Sequence, residues 1–295
     1  RLLAAVAPDT LAEMEARGRA FGRGRLRAVV GYSDTAPVPR MNALAARAHG
    51  RPVVQVQHGA FAYLPREEGV PSRVLDGWLS DHVAVWSRRD ADAFAPHLPG
   101  RVEVTGNPGA AGLLDIPAPR AAGKRALVLG QMPGPLSATA DVRVTAAHLR
   151  AALTALAAVR PDSEVLVRPH PLDGAREAYR RIALDFPRLD VRVDAGGSVE
   201  QAIASASLCV GALSTATLQA AALGLPTVLL DVTGIELEWP FDGGGDFPTA
   251  RTAAELAELL AAPATGRETA LEALGADAGA VERVAALVHA AVEAG

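Results

Sequence analysis

The sequence predicts an α/β fold built from parallel sheets and laid out as two successive halves. Three observations predict it. Strand-length apolar runs alternate with helical patterns along most of the chain. Those runs are apolar throughout rather than at every second residue, which suits sheets covered on both faces. Between the halves, residues 109–124 concentrate Gly109, Gly112, Pro117, Pro119 and Gly123, breakers that mark a linker. At 295 residues the chain has room for two domains of ordinary size, one over 1–110 and one over 120–295.

In the first half, residues 1–20 read as a helix with Leu2, Leu3, Val6, Leu11 and Met14 on a ragged apolar face. Leu26 to Val30 is a strand that runs out at Gly31-Tyr32-Ser33-Asp34-Thr35, and Pro39 to His49 is a helix closed by Gly50. The strand from Pro52 to Gln57 ends at His58-Gly59, and a long loop over 62–80 follows. Val83 to Trp86 is a strand, and Arg88 to Phe94 a short helix with Ser87 as its N-cap. Val102 to Val104 is a strand ending at Thr105-Gly106-Asn107-Pro108. In the second half, strands at 126–129, 165–168, 191–193, 208–212 and 227–231 alternate with helices at 143–159, 174–184, 198–206 and 215–223. A terminal helical region runs from 252 to 293. Two such halves imply an active site in the cleft between them.

Composition removes several function classes. The chain is 49% hydrophobic and 21% charged, ample for a core and too apolar for disorder. Its net charge of −4 gives no sign of a basic surface for nucleic acid. The single cysteine, Cys209, sits inside an apolar strand and reads as a small buried hydrophobe; a disulfide framework and a cysteine zinc site are both excluded, which fits a reducing cytoplasm. No apolar run approaches the roughly 20 residues of a membrane span. Arg1-Leu2-Leu3 carries neither a methionine nor a signal-peptide pattern, so the chain is expected to begin inside a longer protein.

Ligands of parallel sheets gather outside the carboxyl ends of the strands, and the polar clusters of this chain sit there. His170 is bracketed by Pro169 and Pro171, which fix the backbone and set the direction of the ring. Such an imidazole can donate to a phosphate oxygen and, as a cation, neutralise charge on a leaving nucleotide. It can equally cap its strand by bonding a neighbouring carbonyl. Ser214-Thr215-Ala216-Thr217 lies between a strand and a helix start, where hydroxyls, exposed amides and the positive dipole end together suit an anion. An N-cap accounts for one hydroxyl but not for three in four residues. Gly130-Gln131 follows the first strand of the second half, where a glycine lets backbone approach a donor and Gln131 adds a polar contact. In the first half, adjacent parallel strands would bring Asp34 near His58, whose imidazole can take a proton from an acceptor hydroxyl. A histidine bonding the loop 60–70 is the other reading of His58. No spacing of metal ligands occurs, so no metal and no cofactor is expected.

Taken together, Gln57-His58-Gly59, Thr105-Gly106-Asn107-Pro108, Gly130-Gln131, Arg168-Pro169-His170-Pro171 and Ser214-Thr215 resemble GT-B fold glycosyltransferases of bacterial surface polysaccharide synthesis. The capsule transferases for Kdo and sialic acid and the CDP-glycerol glycerophosphotransferases are the most similar families. The resemblance, over roughly residues 26–260, implies two Rossmann-like domains facing a cleft. By the same resemblance the N-terminal domain would be the acceptor side and is expected to be incomplete, since the strands those families carry before the one at Leu26 are not found. The C-terminal domain would bind the nucleotide donor. It implies His170, Ser214 and Thr215 as ligands of the donor phosphate and His58 as a base, matching the His-Gly pair of the glycerophosphotransferases. The sialyltransferase acidic base motif is lacking.

The expected activity is therefore metal-independent transfer of a sugar, or a polyol phosphate, from a CMP- or CDP-linked donor. The acceptor would be a glycan or a lipid-linked glycan, placing a cytoplasmic cell-envelope enzyme at or near the inner membrane face. A UDP-sugar 2-epimerase is the second hypothesis. It needs acid and base carboxylates, for which Asp34, Glu67, Glu68 and Asp81 form no recognised pattern. A nucleotide-binding module without catalysis is the third.

Overall fold

The computed structural model describes residues 16–24, 26–33, 37–59, 77–115, 123–130, 142–170, 176–193, 196–234, 237, 239–242 and 247–294. Its contacts divide the chain into two compact units, with a passage from the first to the second at Ala111–Gly112.

Unit 1 is built on a four-stranded parallel sheet, β1 (Val29–Gly31), β2 (Val53–Val56), β3 (His82–Val85) and β4 (Val102–Val104), in that order. Successive side chains of a strand point to opposite faces, and β2 shows the consequence. Val53 packs with Phe21 of α1 (described over 16–22) and with Ala43, Ala45 and Ala46 of α2 (Pro37–Ala48). Val54, one residue on, packs with Ala84 and with Leu287 and Ala291 of α10 (Ala280–Ala294). Between β3 and β4, α3 (Arg88–Phe94) starts at Ser87, whose side chain accepts from the Asp90 N–H as the sequence implied.

The last helix corrects the sequence reading, which carried the second domain through to residue 295. Gly275–Gly295 belong to unit 1. The physical reason lies in β2 and β3, whose second apolar face would be bare without α10. The Thr105-Gly106-Asn107 turn receives the returning segment. Gly106 adopts φ +79, and a Cβ there would stand 3.0 Å from the Ala280 Cβ. The Asn107 N–H donates to the Gly275 carbonyl at 2.8 Å and Arg283 Nε to the Thr105 carbonyl at 2.9 Å. Arg283 also holds the Asp277 carboxyl below its ordinary range through a hydrogen bond.

Unit 2 holds a six-stranded parallel sheet made of β5 (Arg125–Leu129), β6 (Glu164–Arg168), β7 (Asp190–Val193), β8 (Leu208–Gly211), β9 (Thr227–Leu230) and β10 (Thr249–Ala250). Its order is β10-β9-β8-β5-β6-β7. The short β10 escaped the sequence reading because two residues carry no periodicity. On one face α4 (Val142–Val159), α5 (Arg176–Leu184) and α8 (Ala253–Ala261) cover Ala126, Val128, Val165, Val167, Leu208, Val210, Val228 and Leu230 in one continuous core. The alternate residues Leu127, Cys209 and Leu229 are also fully buried, which is why these strands read as unbroken apolar runs. Helices α6 (Val199–Ala204), α7 (Thr215–Ala222) and α9 (Arg267–Ala273) complete the unit. Burial pushes the Cys209 thiol pKa up, so it is an inert core group as expected.

Candidate functional site: the carboxyl edges of the two sheets

The sheet of unit 2 reverses direction at β5. The chain steps outward through β6 and β7, then returns to the other side of β5 with β8, β9 and β10. A ligand crevice opens where the order reverses, outside the ends of β5 and β8. Three of the expected site segments sit on that edge. Gly130 ends β5, Pro169-His170 ends β6, and Ser214-Thr215 lies between β8 and α7. Neighbouring strands lie about 4.8 Å apart, so the strands carrying His170 and Ser214 are about 10 Å apart with β5 between them.

Ser214 is the N-cap of α7, with extended backbone at φ −154 and ψ 155, and its side chain makes no cap hydrogen bond. Its hydroxyl lies 3.3 Å from Thr217 Oγ1. Thr217 itself is fully buried and donates to the Ala212 carbonyl at 2.6 Å. Of the three hydroxyls in this cluster, then, the third is structural, and only Ser214 and Thr215 stand partly exposed at the helix start. Gly211 must be glycine for the same reason: a Cβ there would collide with Thr217 Cγ2.

His170 is half-buried behind a buried Pro169, while Pro171 lies outside the described residues. Arg168, two residues earlier, spends its guanidinium on the carbonyls of Gly196 at 3.0 Å and Gly197 at 2.8 Å, tying the β7–α6 loop to this strand end. Gly130 differs from its expected role of giving a donor close access to backbone. A Cβ there would meet Tyr179 Oη at 2.9 Å and Pro169 Cα at 3.1 Å, and its N–H donates to the Arg168 carbonyl at 2.8 Å. Here the close approach is made by the protein itself, which fixes the turn leading to His170. Gln131 lies outside the described residues.

In unit 1, Gln57 is buried and acts as a clamp. Its Oε1 accepts from the Trp86 N–H at 3.0 Å, its carbonyl accepts from Trp86 Nε1 at 2.8 Å, and its Nε2 donates to the Gly59 carbonyl at 3.0 Å. With both neighbours of His58 held, its exposed ring is presented at the end of β2, edge-on to Tyr32 with centroids 5.1 Å apart. Asp34, its expected partner, lies outside the described residues, as do Glu67 and Glu68. Asp81 is committed to structure: it pairs with Arg47 at 3.0 Å and accepts from the Val53 N–H at 2.9 Å. Among the described residues no group of three or more His, Cys, Asp or Glu side chains could hold a metal ion. None of the described helices is long and apolar enough to cross a membrane.

With this geometry the solved structures can be compared. The chain superposes on the UDP-GlcNAc 2-epimerase of Methanocaldococcus jannaschii with a TM-score of 0.66 at 11% identity, covering 95% of this chain and 82% of that one. The Neisseria meningitidis UDP-GlcNAc 2-epimerase bound to UDP-GlcNAc gives 0.64 at 15% identity, over 95% and 81%. MurG of Acinetobacter baumannii gives 0.53 at 17% identity, over 95% and 78%. The fold is of GT-B type. Neither a protein-family model nor a curated protein matches the sequence. The GT-B fold agrees with the fold that the motif resemblance implied, and the β5–β8 reversal lies in the second of the two units.

Sequence reasoning passed over Tyr32 and Trp86, which define how His58 is held, and over His148 and Asp231 near the β9 end. Tyr32 was within reach of the sequence, since it follows a strand parallel and adjacent to the one that ends at His58. His148 gave no signal beyond being one polar residue in an apolar helix.

Proposed function

We propose that this protein is a GT-B enzyme acting on a nucleotide-activated sugar, and that it transfers the sugar or a polyol phosphate to a glycan acceptor. The observation that carries the reading is the convergence of Gly130, His170 and the Ser214 end of α7 on neighbouring strand ends at the sheet reversal. A helix start whose N-cap hydroxyl is not spent on its own amides, beside an imidazole on a fixed backbone, suits a nucleotide phosphate. In this reading His170, Ser214 and Thr215 hold the donor phosphate. His58 accepts the proton of the acceptor hydroxyl, and no step calls on a metal ion. The sequence motifs favour a CMP- or CDP-linked donor. Several structural neighbours are, by name, enzymes of UDP-GlcNAc, so UDP donors belong in the same trial.

Epimerisation of a UDP-sugar is the second reading, favoured by one observation: the epimerases superpose at 0.59 to 0.66 and MurG at 0.53. Against it, one of its four candidate carboxylates, Asp81, is tied to Arg47 and to β2. Incubation with labelled CMP-, CDP- and UDP-linked donors, with and without acceptor, separates the readings. Transfer predicts label in a new glycan. Label in an altered sugar still on its nucleotide would make the protein an epimerase, and binding without turnover would make it a module.

A further inference from the structure

Helix α4 turns an apolar face to the sheet, with Leu149, Ala152, Leu153, Ala155 and Leu156 all buried, and among them it buries one imidazole, His148, at 2% exposure. A polar ring in such a place loses hydration that an aliphatic side chain would not. The ring has a particular partner. Nδ1 lies 3.1 Å from the Leu230 carbonyl. Burial lowers the His148 pKa to about 4, so the imidazole is neutral near pH 7 and its Nδ1–H donates to Leu230. Leu230 is the last residue of β9, the strand beside β8.

The residue that succeeds it, Asp231, belongs to the same edge. Asp231 is 2% exposed, and its Oδ1 accepts from the Thr233 N–H at 2.9 Å and hydroxyl at 2.5 Å. Thr145, one helical turn before His148, is buried as well. Among the described residues the Thr145 hydroxyl, His148 Nε2 and Asp231 Oδ2 are buried and find no hydrogen-bond partner, so the floor of this edge is polar rather than apolar.

We propose that His148 is a positioning residue of the unit 2 ligand edge: from α4 it holds the end of β9, the strand beside β8. It thereby holds the Asp231 turn that flanks Ser214. The consequence for nucleotide binding rests on the function proposed above, whereas the mechanical role does not.

Two readouts on the full chain test this, with His148→Asn as the conservative variant, since its amide nitrogen is bonded to Cγ as Nδ1 is and can donate to Leu230, and His148→Phe as the apolar one. His148→Leu serves if the Phe variant does not fold. In hydrogen exchange, the Thr233 amide of the Phe variant should exchange about tenfold faster within a folded protein, and that of the Asn variant at close to the native rate. UDP and CMP titrations should show a dissociation constant raised about tenfold for Phe and restored by Asn. Native protection of that amide in a folded Phe or Leu variant would overturn the proposal. Lost protection in a protein whose native form binds neither nucleotide would instead sink the donor reading and leave the positioning role standing.

Discussion

At His170 the backbone is fixed by a buried proline behind it and by the Gly130 N–H on the Arg168 carbonyl one residue further back. The half-buried ring is not part of the core, so its loss should leave the fold intact. If it bonds a charged phosphate, His170→Ala should weaken nucleotide binding by about 1.5–3 kcal/mol, roughly ten- to 150-fold, measured by calorimetry. His58→Ala should bind nucleotide almost normally and lose about 10²–10⁴-fold in turnover, since its partner is the acceptor hydroxyl. Equal loss of nucleotide binding in both variants would contradict that division of labour. His148 yields a pH prediction. Its unfolded imidazole takes up a proton near 6.5 and the folded one near 4, so acid favours the unfolded chain. Stability should be flat above pH 6.5 and fall as pH drops toward 4, by up to roughly 3 kcal/mol, and His148→Phe should remove that part of the slope in urea titrations. At this scale the sequence was legible where a residue's backbone context was local, as for His170 between prolines. It was not legible where the partner came from far along the chain. Gln57 was grouped with His58 as part of a motif, and it is Trp86, 29 residues on, that gives it a structural task.

Among the elements, the start of α7 depends on one steric coincidence. The space beside Gly211 is filled by Thr217, whose hydroxyl reaches back to Ala212 and so locks the first helical turn onto the end of β8. Gly211→Ala should displace that turn and cost about 1–3 kcal/mol in stability, with a matching loss of nucleotide affinity. A variant of native stability and affinity would show that the turn has slack. Strands and helices of the second half were legible nearly residue for residue, because a sheet buried on both faces writes its strands as solid apolar runs, as at Leu208 to Gly211. The two-residue β10 was not, and neither was the inward turn of Thr217, which in the sequence is one more hydroxyl beside Ser214.

For the whole molecule, the return of the chain to unit 1 is the feature that no local pattern announced. Helix α10 has an ordinary amphipathic sequence, and its target, the face of Val54 and Ala84, lies some two hundred residues earlier. A chain ending at Leu274 should therefore lose hydrogen-exchange protection in β2 and β3 and keep it in β8 and β9; retained protection of Val54 and Ala84 would refute the role given to α10. Binding of a nucleotide-sugar phosphate at the reversal between β5 and β8 is best tested by calorimetric titration of UDP, CDP and CMP into the native protein and into a variant with both His170→Ala and Ser214→Ala. Saturable binding of at least one nucleotide to the native protein is expected, weakened at least tenfold in the folded double variant. Binding of equal strength to both proteins, or of none of the three nucleotides to the native one, would contradict it.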